Sequence, residues 1–308
     1  MNYRTSFSYT PKGFERLTCL RTLWEFVVSG DGFGSSKVCS TLASFENLNH
    51  LGGYLSISGL GYVVDFVEAK KAELKRKKNL PHLELFFNSN KEIEGRTNED
   101  DKFLLEVLQP PSNLEELKIA QYGGNTVSPS WLIPLSKLRR LTLSYCENCE
   151  HLPPLGRLSS LEYLSLNNMS SLKRVGDEFL GIESEVASSS SSFIIAFPKL
   201  KSLKFESLDE WEEWDTTRRE GEDVTLMPCL RSLTIDFCIL LKLILIVIFW
   251  ISELLQLEFP GEADIEVVEN VHPLVHHAAI DKRSRSSSSI WALNLRIDVI
   301  IESCLLMK

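Results

Sequence analysis

The apolar positions of this chain recur in one frame that fits neither a helix nor a plain strand. It begins with Leu80, Leu83, Leu85 and Asn88 and continues with Leu114, Leu117, Ile119 and Tyr122. Four further copies follow: Leu138, Leu141, Leu143, Cys146; Leu161, Leu164, Leu166, Met169; Leu200, Leu203, Phe205, Leu208; and Leu230, Leu233, Ile235, Cys238. The centre of each copy alternates apolar with polar residues, the period of a strand buried on one side. In four copies another large or apolar side chain comes three residues after the frame: Cys149, Leu172, Trp211 and Leu241. A unit this small cannot bury its own apolar side, so neighbouring copies must stack and share one core.

The frame reads L-x-x-L-x-L-x-x-N/C-x-x-L, the leucine-rich repeat pattern. It predicts an α/β repeat fold: a leucine-rich repeat solenoid with a curved parallel β-sheet on the concave face and irregular loops and short helices on the convex side. Steps of 24 residues from Leu114 to Leu138 and 23 from Leu138 to Leu161 lie within the roughly 20 to 29 residues of such units. Longer steps hold insertions. Between Leu80 and Leu114, "NEDDKFLLEVLQPP" predicts a helix capped by Asn98, with Phe103 and Val107 on one face and Pro110 ending it. Between Leu161 and Leu200, the Ser-rich "ESEVASSSSSF" predicts a mobile insertion. The expected division is a lead-in with a degenerate first repeat over residues 1–47, the repeat domain over 48–241, and a divergent tail over 242–308.

Composition then removes some functions. Among 308 residues, 42 acids against 33 Lys and Arg give a net charge of −9, which argues against whole-chain attraction to nucleic acid or anionic lipid. Seven Cys cannot all pair within the chain, and the polar start "MNYRTSFSYTPKGFERL" lacks a secretory apolar core. Both point to a reducing compartment, so the expected location is cytoplasmic. The sequon Asn168-Met169-Ser170 has meaning only in the secretory pathway. The apolar run "ILLKLILIVIFWI" spans thirteen residues and contains Lys242, short of the roughly 20 needed to cross a bilayer, so no membrane span is expected.

The most chemical-looking stretch is "LSYCENCEHLPPL", which sets Cys146, Cys149 and His151 within six positions. C-x₂-C beside a His offers three zinc ligands, and a metal-assisted hydrolase is the enzyme reading it allows. The frame gives the cysteines other work. Cys146 stands where the pattern asks for Asn or Cys, Cys149 stands where Leu172 and Leu241 stand elsewhere, and no second C-x₂-C or H-x₃-H supplies a fourth ligand. No cofactor, catalytic residue or metal ligand is expected.

Beyond the frame, three blocks occur in order: "FLLEVLQPPSNLEELKIAQYGGNTVSPSWL", "CEHLPPLGRLSSLEYLSLNNMSSLKRVGDEFLG" and "FPKLKSLKFESLDEWEEW". Together with "LTCLRTLWEFVVSG", "GGYLSISGLGYV" and "EAKKAELKRKKNLPHLEL" upstream, they resemble the leucine-rich repeat region of plant intracellular disease resistance proteins, the class with an N-terminal coiled coil and a nucleotide-binding switch domain. The resemblance runs from near Gly13 to near Leu241. No segment carries the G-x-x-x-x-G-K-[ST] loop of a switch domain, and "GDGFGSSK" at residues 30–37 has the wrong spacing. After "LRSLTIDFC" the resemblance ends, and a truncated receptor or translated intron is the expectation for the tail. The resemblance implies that the repeats fold back on a switch domain, in cis or in trans. The basic run "KKAELKRKK", residues 70–78, could serve that contact or form a solvated helix face, and the acidic run of residues 205–223 a solvated loop.

Residues between and after the inward apolar positions are expected on the concave face: Arg140, Thr142, Ser144 and Tyr145; Tyr163, Ser165, Asn167 and Asn168; then Lys204, Glu206, Thr234 and Asp236, with Ser202, Ser207, Ser232 and Phe237 beside them. Tyr145 and Tyr163 are expected to share one aromatic patch flanked by Arg140 and Asn168. Tyr, Arg and Asn suit adaptable protein contacts. The resulting expectation is a non-enzymatic recognition module of a plant immune receptor that binds a pathogen effector or a guarded host protein. A scaffold or decoy without signalling output is the alternative.

Overall fold

The computed structural model describes residues 9–28, 39–87, 97–182, 194–214, 224–236, 238 and 297–300. Thirteen strands are found there: β1 (Glu25–Val27), β2 (Gly52–Ser58), β3 (Asn79–Phe86), β4 (Glu116–Ala120), β5 (Arg140–Ser144), β6 (Tyr163–Asn167), β7 (Arg174–Val175), β8 (Ile194–Ala196), β9 (Ser202–Glu206), β10 (Glu213–Trp214), β11 (Val224–Leu226), β12 (Ser232–Asp236) and β13 (Ile297–Ile300). The main sheet runs β1-β2-β3-β4-β5-β6-β9-β12-β13, parallel up to β12 and closed by antiparallel β13. Two small parallel pairs, β7 with β10 and β8 with β11, lie outside it. The helices are short: α1 (Phe66–Lys70), α2 (Asn98–Val107) and α3 (Asp177–Leu180). This is a leucine-rich repeat solenoid.

Register explains the frame. Leu55, Leu83, Leu117, Leu141, Leu164, Leu203 and Leu233 align across the strands, and Ile57, Leu85, Ile119, Leu143, Leu166, Phe205 and Ile235 form the next row inward. All are buried in one continuous core. Phe26 of β1 belongs to the same core. Near the C-terminal end, Phe205 packs on Trp211 at 4.7 Å and Trp214 at 5.4 Å between ring centroids, so Trp211 packs as the frame implies and Trp214 joins it.

Helix α2 differs from expectation at both cap and face. Thr97, not Asn98, is the N-cap: its Oγ1 accepts from the Asp100 amide at 3.3 Å while Asp100 Oδ2 accepts from the Thr97 amide at 2.7 Å. This reciprocal pair satisfies two amides that a helix start leaves open. The buried side chains are Leu104 and Leu105, with Leu108 just beyond, and Asp101, whose Oδ2 accepts from the Gly123 amide at 3.0 Å, whereas Phe103 is exposed and packs at a tilt against Phe66 of α1 at 5.2 Å. The Ser-rich insertion, the loop of residues 30–37 and the apolar run of residues 239–251 lie outside the described residues. Among the described residues no helix is long and apolar enough to cross a membrane.

The basic run is not uniformly solvated. Lys77 is fully buried, and its ammonium donates to the Phe45 carbonyl oxygen at 2.5 Å and to Asn49 Oδ1 at 3.2 Å. A buried cation is expensive unless hydrogen-bonded, and burial lowers the Lys77 pKa to about 8, with Glu73 opposing. Its long stem ties the turn before β3 to the turn before β2.

Two outcomes are expected. Leu141→Ala or Leu164→Ala should cost about 2 to 5 kcal/mol in chemical denaturation, because each opens a cavity in the shared core; wild-type stability would contradict the stacking. Between pH 8 and 10.5 the unfolded chain holds a proton on Lys77 that the folded chain has released. Lys77 therefore contributes stability that rises with pH across that window, by on the order of 3 kcal/mol at most, while the buried thiols of Cys146, Cys149 and Cys238, which keep their protons in the folded chain, oppose it above pH 9; relative to Lys77→Met, the wild type should gain stability as pH rises. Equal pH slopes for wild type and variant would show that Lys77 releases no proton on folding.

Candidate functional site

The outward residues of the parallel strands stack in three rows. The first runs Tyr54, His82, Glu116, Arg140, Tyr163, Ser202 and Ser232. The second runs Glu25, Ser56, Glu84, Lys118, Thr142, Ser165, Lys204 and Thr234. The third runs Phe86, Ala120, Ser144, Asn167, Glu206 and Asp236. Neighbouring residues in a row stand about 4.8 Å apart, so each row is a line of direct contacts.

Arg140 is the best-held side chain of the first row. Its guanidinium lies over the Tyr163 ring at 4.3 Å from the centroid, and its Nε reaches Glu116 Oε1 at 3.2 Å. His82 Nδ1 lies 3.9 Å from the other Glu116 oxygen. A cation fixed between a carboxylate and an aromatic face presents its remaining donors with little rotamer entropy left to lose. Elsewhere on the face Lys204 pairs with Glu206 at 2.6 Å, Asn167 Nδ2 donates to Ser165 Oγ at 3.4 Å, and Lys118 sits 5.0 Å over the Phe86 ring. Thr142, Ser165, Asn168, Thr234 and Asp236 are half-buried on the same side. At the strand entrances Glu162 is held by Lys201 at 2.6 Å and Arg139 at 2.9 Å, and the hydrogen bond from Lys201 depresses its carboxyl pKa most.

Two expectations about this face need correction. Ser144 is only 4% exposed, because its short side chain sits in a row between Ala120 and Asn167 and does not clear its neighbours. Tyr145 and Tyr163 do not share a patch. Register pairs Arg140 with Tyr163 and Ser144 with Asn167, so Tyr145 lies level with Asn168, about 15 Å along the strand direction from Tyr163. Arg140 joins Tyr163 alone.

Tyr145 also leaves the strand in an unexpected way. Gln121, Tyr145, Asn168 and Ser207 have φ of 57°, 56°, 54° and 52°. Each donates its amide to the last strand carbonyl of the next repeat: Gln121 to Ser144 at 2.9 Å, Tyr145 to Asn167 at 3.0 Å, Asn168 to Glu206 at 2.9 Å and Ser207 to Asp236 at 2.9 Å. The left-handed residue breaks the two-residue alternation. Inward positions are therefore spaced two and then three apart, as in Leu141, Leu143 and Cys146, and the side chain that alternation would send inward stays outside. Tyr122, Cys146, Met169 and Leu208 follow this turn, and all are buried.

The cysteines do what the frame asks of them. Cys146 Sγ donates to the Ser144 carbonyl at 3.6 Å, Cys238 Sγ donates to the Asp236 carbonyl at 3.4 Å, and Cys149 Sγ donates to the His151 carbonyl at 3.2 Å. Burial pushes the Cys146 and Cys149 thiols up to about 12 and about 11. His151 is exposed, and among the described residues no three His, Cys, Asp or Glu side chains converge as a ligand set. A protonated, enclosed thiol is a poor nucleophile and a poor ligand.

The face extends further than the sequence-derived residues. His82, Glu84, Glu116 and Lys118 occupy the same outward positions one and two repeats earlier, where the alternation in the frame already marks them. Tyr54 and Glu25 belong to strands that depart from the frame and had no such signal.

Residues 42–169 match the family model described as R13L1/DRL21 LRRs. The chain carries a leucine-rich repeat region of the plant disease-resistance kind. A protein of Arabidopsis thaliana named for disease resistance is 35% identical over 204 residues, covering 64% of this chain and 14% of its own length. The disease resistance RPP13-like protein 1 of the same plant is 31% identical over 220 residues, 69% of this chain and 20% of its length. Disease resistance protein RGA2 of Solanum bulbocastanum is 33% identical over 235 residues, 74% of this chain and 22% of its length. The chain thus spans about a fifth or less of the curated relatives it matches.

The buried thiols of this disease-resistance repeat region give a direct test. Iodoacetamide at pH 8 should label exposed Cys19 and Cys229 in the native protein and reach Cys146 and Cys149 only in denaturant. Native labelling of Cys146 at the Cys229 rate, read by mass spectrometry, would contradict the enclosed position.

Proposed function

We propose that this repeat region is the non-enzymatic recognition module of a plant intracellular immune receptor and works in the cytoplasm. Its partner is a pathogen effector or a guarded host protein, bound on the concave face, and a nucleotide-binding switch domain, in cis or in trans, is a second protein partner. The observation that carries this reading is the Glu116–Arg140–Tyr163 row, an arginine held in place on an aromatic ring in the middle of an open polar sheet. Arg and Tyr are the residue types that dominate protein interfaces, most of all where their rotamers are fixed before binding. Relatives named for disease resistance support the immune setting.

The test is affinity titration of a partner recovered from infected plant tissue. Arg140→Ala with Tyr163→Ala should remove at least about 2 kcal/mol of binding. The melting curve should move little, because exposed pairs of this kind contribute about 1 kcal/mol or less to stability. Unchanged affinity for every recovered partner would refute the concave-face reading.

A further inference from the structure

We infer that the first three strands form a seat for a cationic side chain, arginine or lysine, presented by the protein partner; the inference rests on the concave face being the binding face. The second outward row begins Glu25, Ser56, Glu84. Ser56 is 5% exposed and forms the floor, while the carboxylates of β1 and β3 stand on either side of it. Their backbones are two strand spacings apart, about 10 Å, which leaves width for one guanidinium or ammonium between them. The end of this notch is aromatic. Tyr54 precedes Ser56 by two residues on the same side of β2, and Trp24, 72% exposed, stacks on it with ring centroids 5.5 Å apart.

The local cations are committed elsewhere. Lys118 stands next to Glu84 in register, yet its ammonium lies over the Phe86 ring at 5.0 Å. Arg140 is held by Glu116, and His82 leans toward the same carboxylate at 3.9 Å. Among the described residues no basic group lies within ion-pair distance of Glu25 or Glu84. Two carboxylates beside the exposed Trp24 ring, backed by half-buried Tyr54, combine the two attractions that a guanidinium or ammonium experiences at a protein surface, charge pairing and a π face. An anionic partner group would meet repulsion from both carboxylates and the wrong side of the ring quadrupole. The other end of the sheet is chemically different, since Lys204 and Glu206 there satisfy each other.

The experiment uses the full chain and a fluorescent hexa-arginine peptide, followed by anisotropy at physiological salt, with hexa-glutamate as the opposite-charge probe. Glu25→Gln with Glu84→Gln should weaken hexa-arginine binding about tenfold, the loss of a charge-assisted contact. Trp24→Ala should weaken it less, and the control pair Glu147→Gln with Glu150→Gln, which removes the same charge from an exposed turn, should leave it unchanged. Absence of hexa-arginine binding, or equal loss in the control pair, overturns the seat, the second outcome because it reports only the net negative charge. A recovered protein partner that loses binding in Arg140→Ala/Tyr163→Ala but not in Glu25→Gln/Glu84→Gln overturns the seat and leaves the recognition face intact. A partner indifferent to both pairs overturns both.

Discussion

Everything in this molecule depends on the inability of one repeat to bury its own leucines. A five-residue strand such as β5 has two inward side chains, Leu141 and Leu143, and nothing within its own unit to cover them. Coverage comes from β4 and β6, which set their own leucines at the same height. Parallel pairing in constant register is the only arrangement that does this for every unit at once, and it follows from the frame rather than from any single strong contact. The same register orders the opposite side of the sheet. Once Leu141 is level with Leu164, Arg140 must be level with Tyr163, so the recognition chemistry inherits its geometry from the core.

How much of this was legible in the sequence differed from residue to residue. The inward leucines of β3 to β12 were readable because apolar residues at spacings of three and two match neither the helical period nor plain alternation. Strand β2 was hidden by one inserted residue: Leu51 and Leu55 are four apart, not three, and the register shifts between Gly52 and Tyr54 where Gly53 adopts φ of 77°. A bulge of this kind moves the apolar pattern without removing the strand, so pattern matching loses it while hydrogen bonding does not. The outward face was legible in composition but not in distance. Tyr145 comes four residues after Leu141 and Tyr163 one residue before Leu164, and only the constant register that levels the two leucines turns this offset into a separation along the strands.

Charged residues gave the least. A run of six basic groups reads as solvated, and five of its members are exposed, but Lys77 turns inward to bind the Phe45 carbonyl. The side chain is long enough to bury its stem and still find acceptors, a choice made by the local turn and invisible to a count of charges. The cysteines show the reverse case. C-x₂-C with a nearby His suggested chemistry, whereas the frame assigned both thiols to the interior, where their protons are held by backbone carbonyls.

The left-handed turn after β4, β5, β6 and β9 constrains how the face could diversify. Rows inside the strands have ordinary extended backbone and accept any outward side chain, so a new partner could be met there by substitution alone. The positions of Gln121, Tyr145, Asn168 and Ser207 are different, because φ near 55° suits Gly, is tolerated by Asn and Asp, strains other residues and is least tolerant of β-branched ones. Val, Ile and Thr are thereby discouraged from one whole edge of the surface. The repertoire of shapes this sheet can present is therefore uneven, broad across its middle and narrow along the rim where the chain must turn back to keep its next residue in the core.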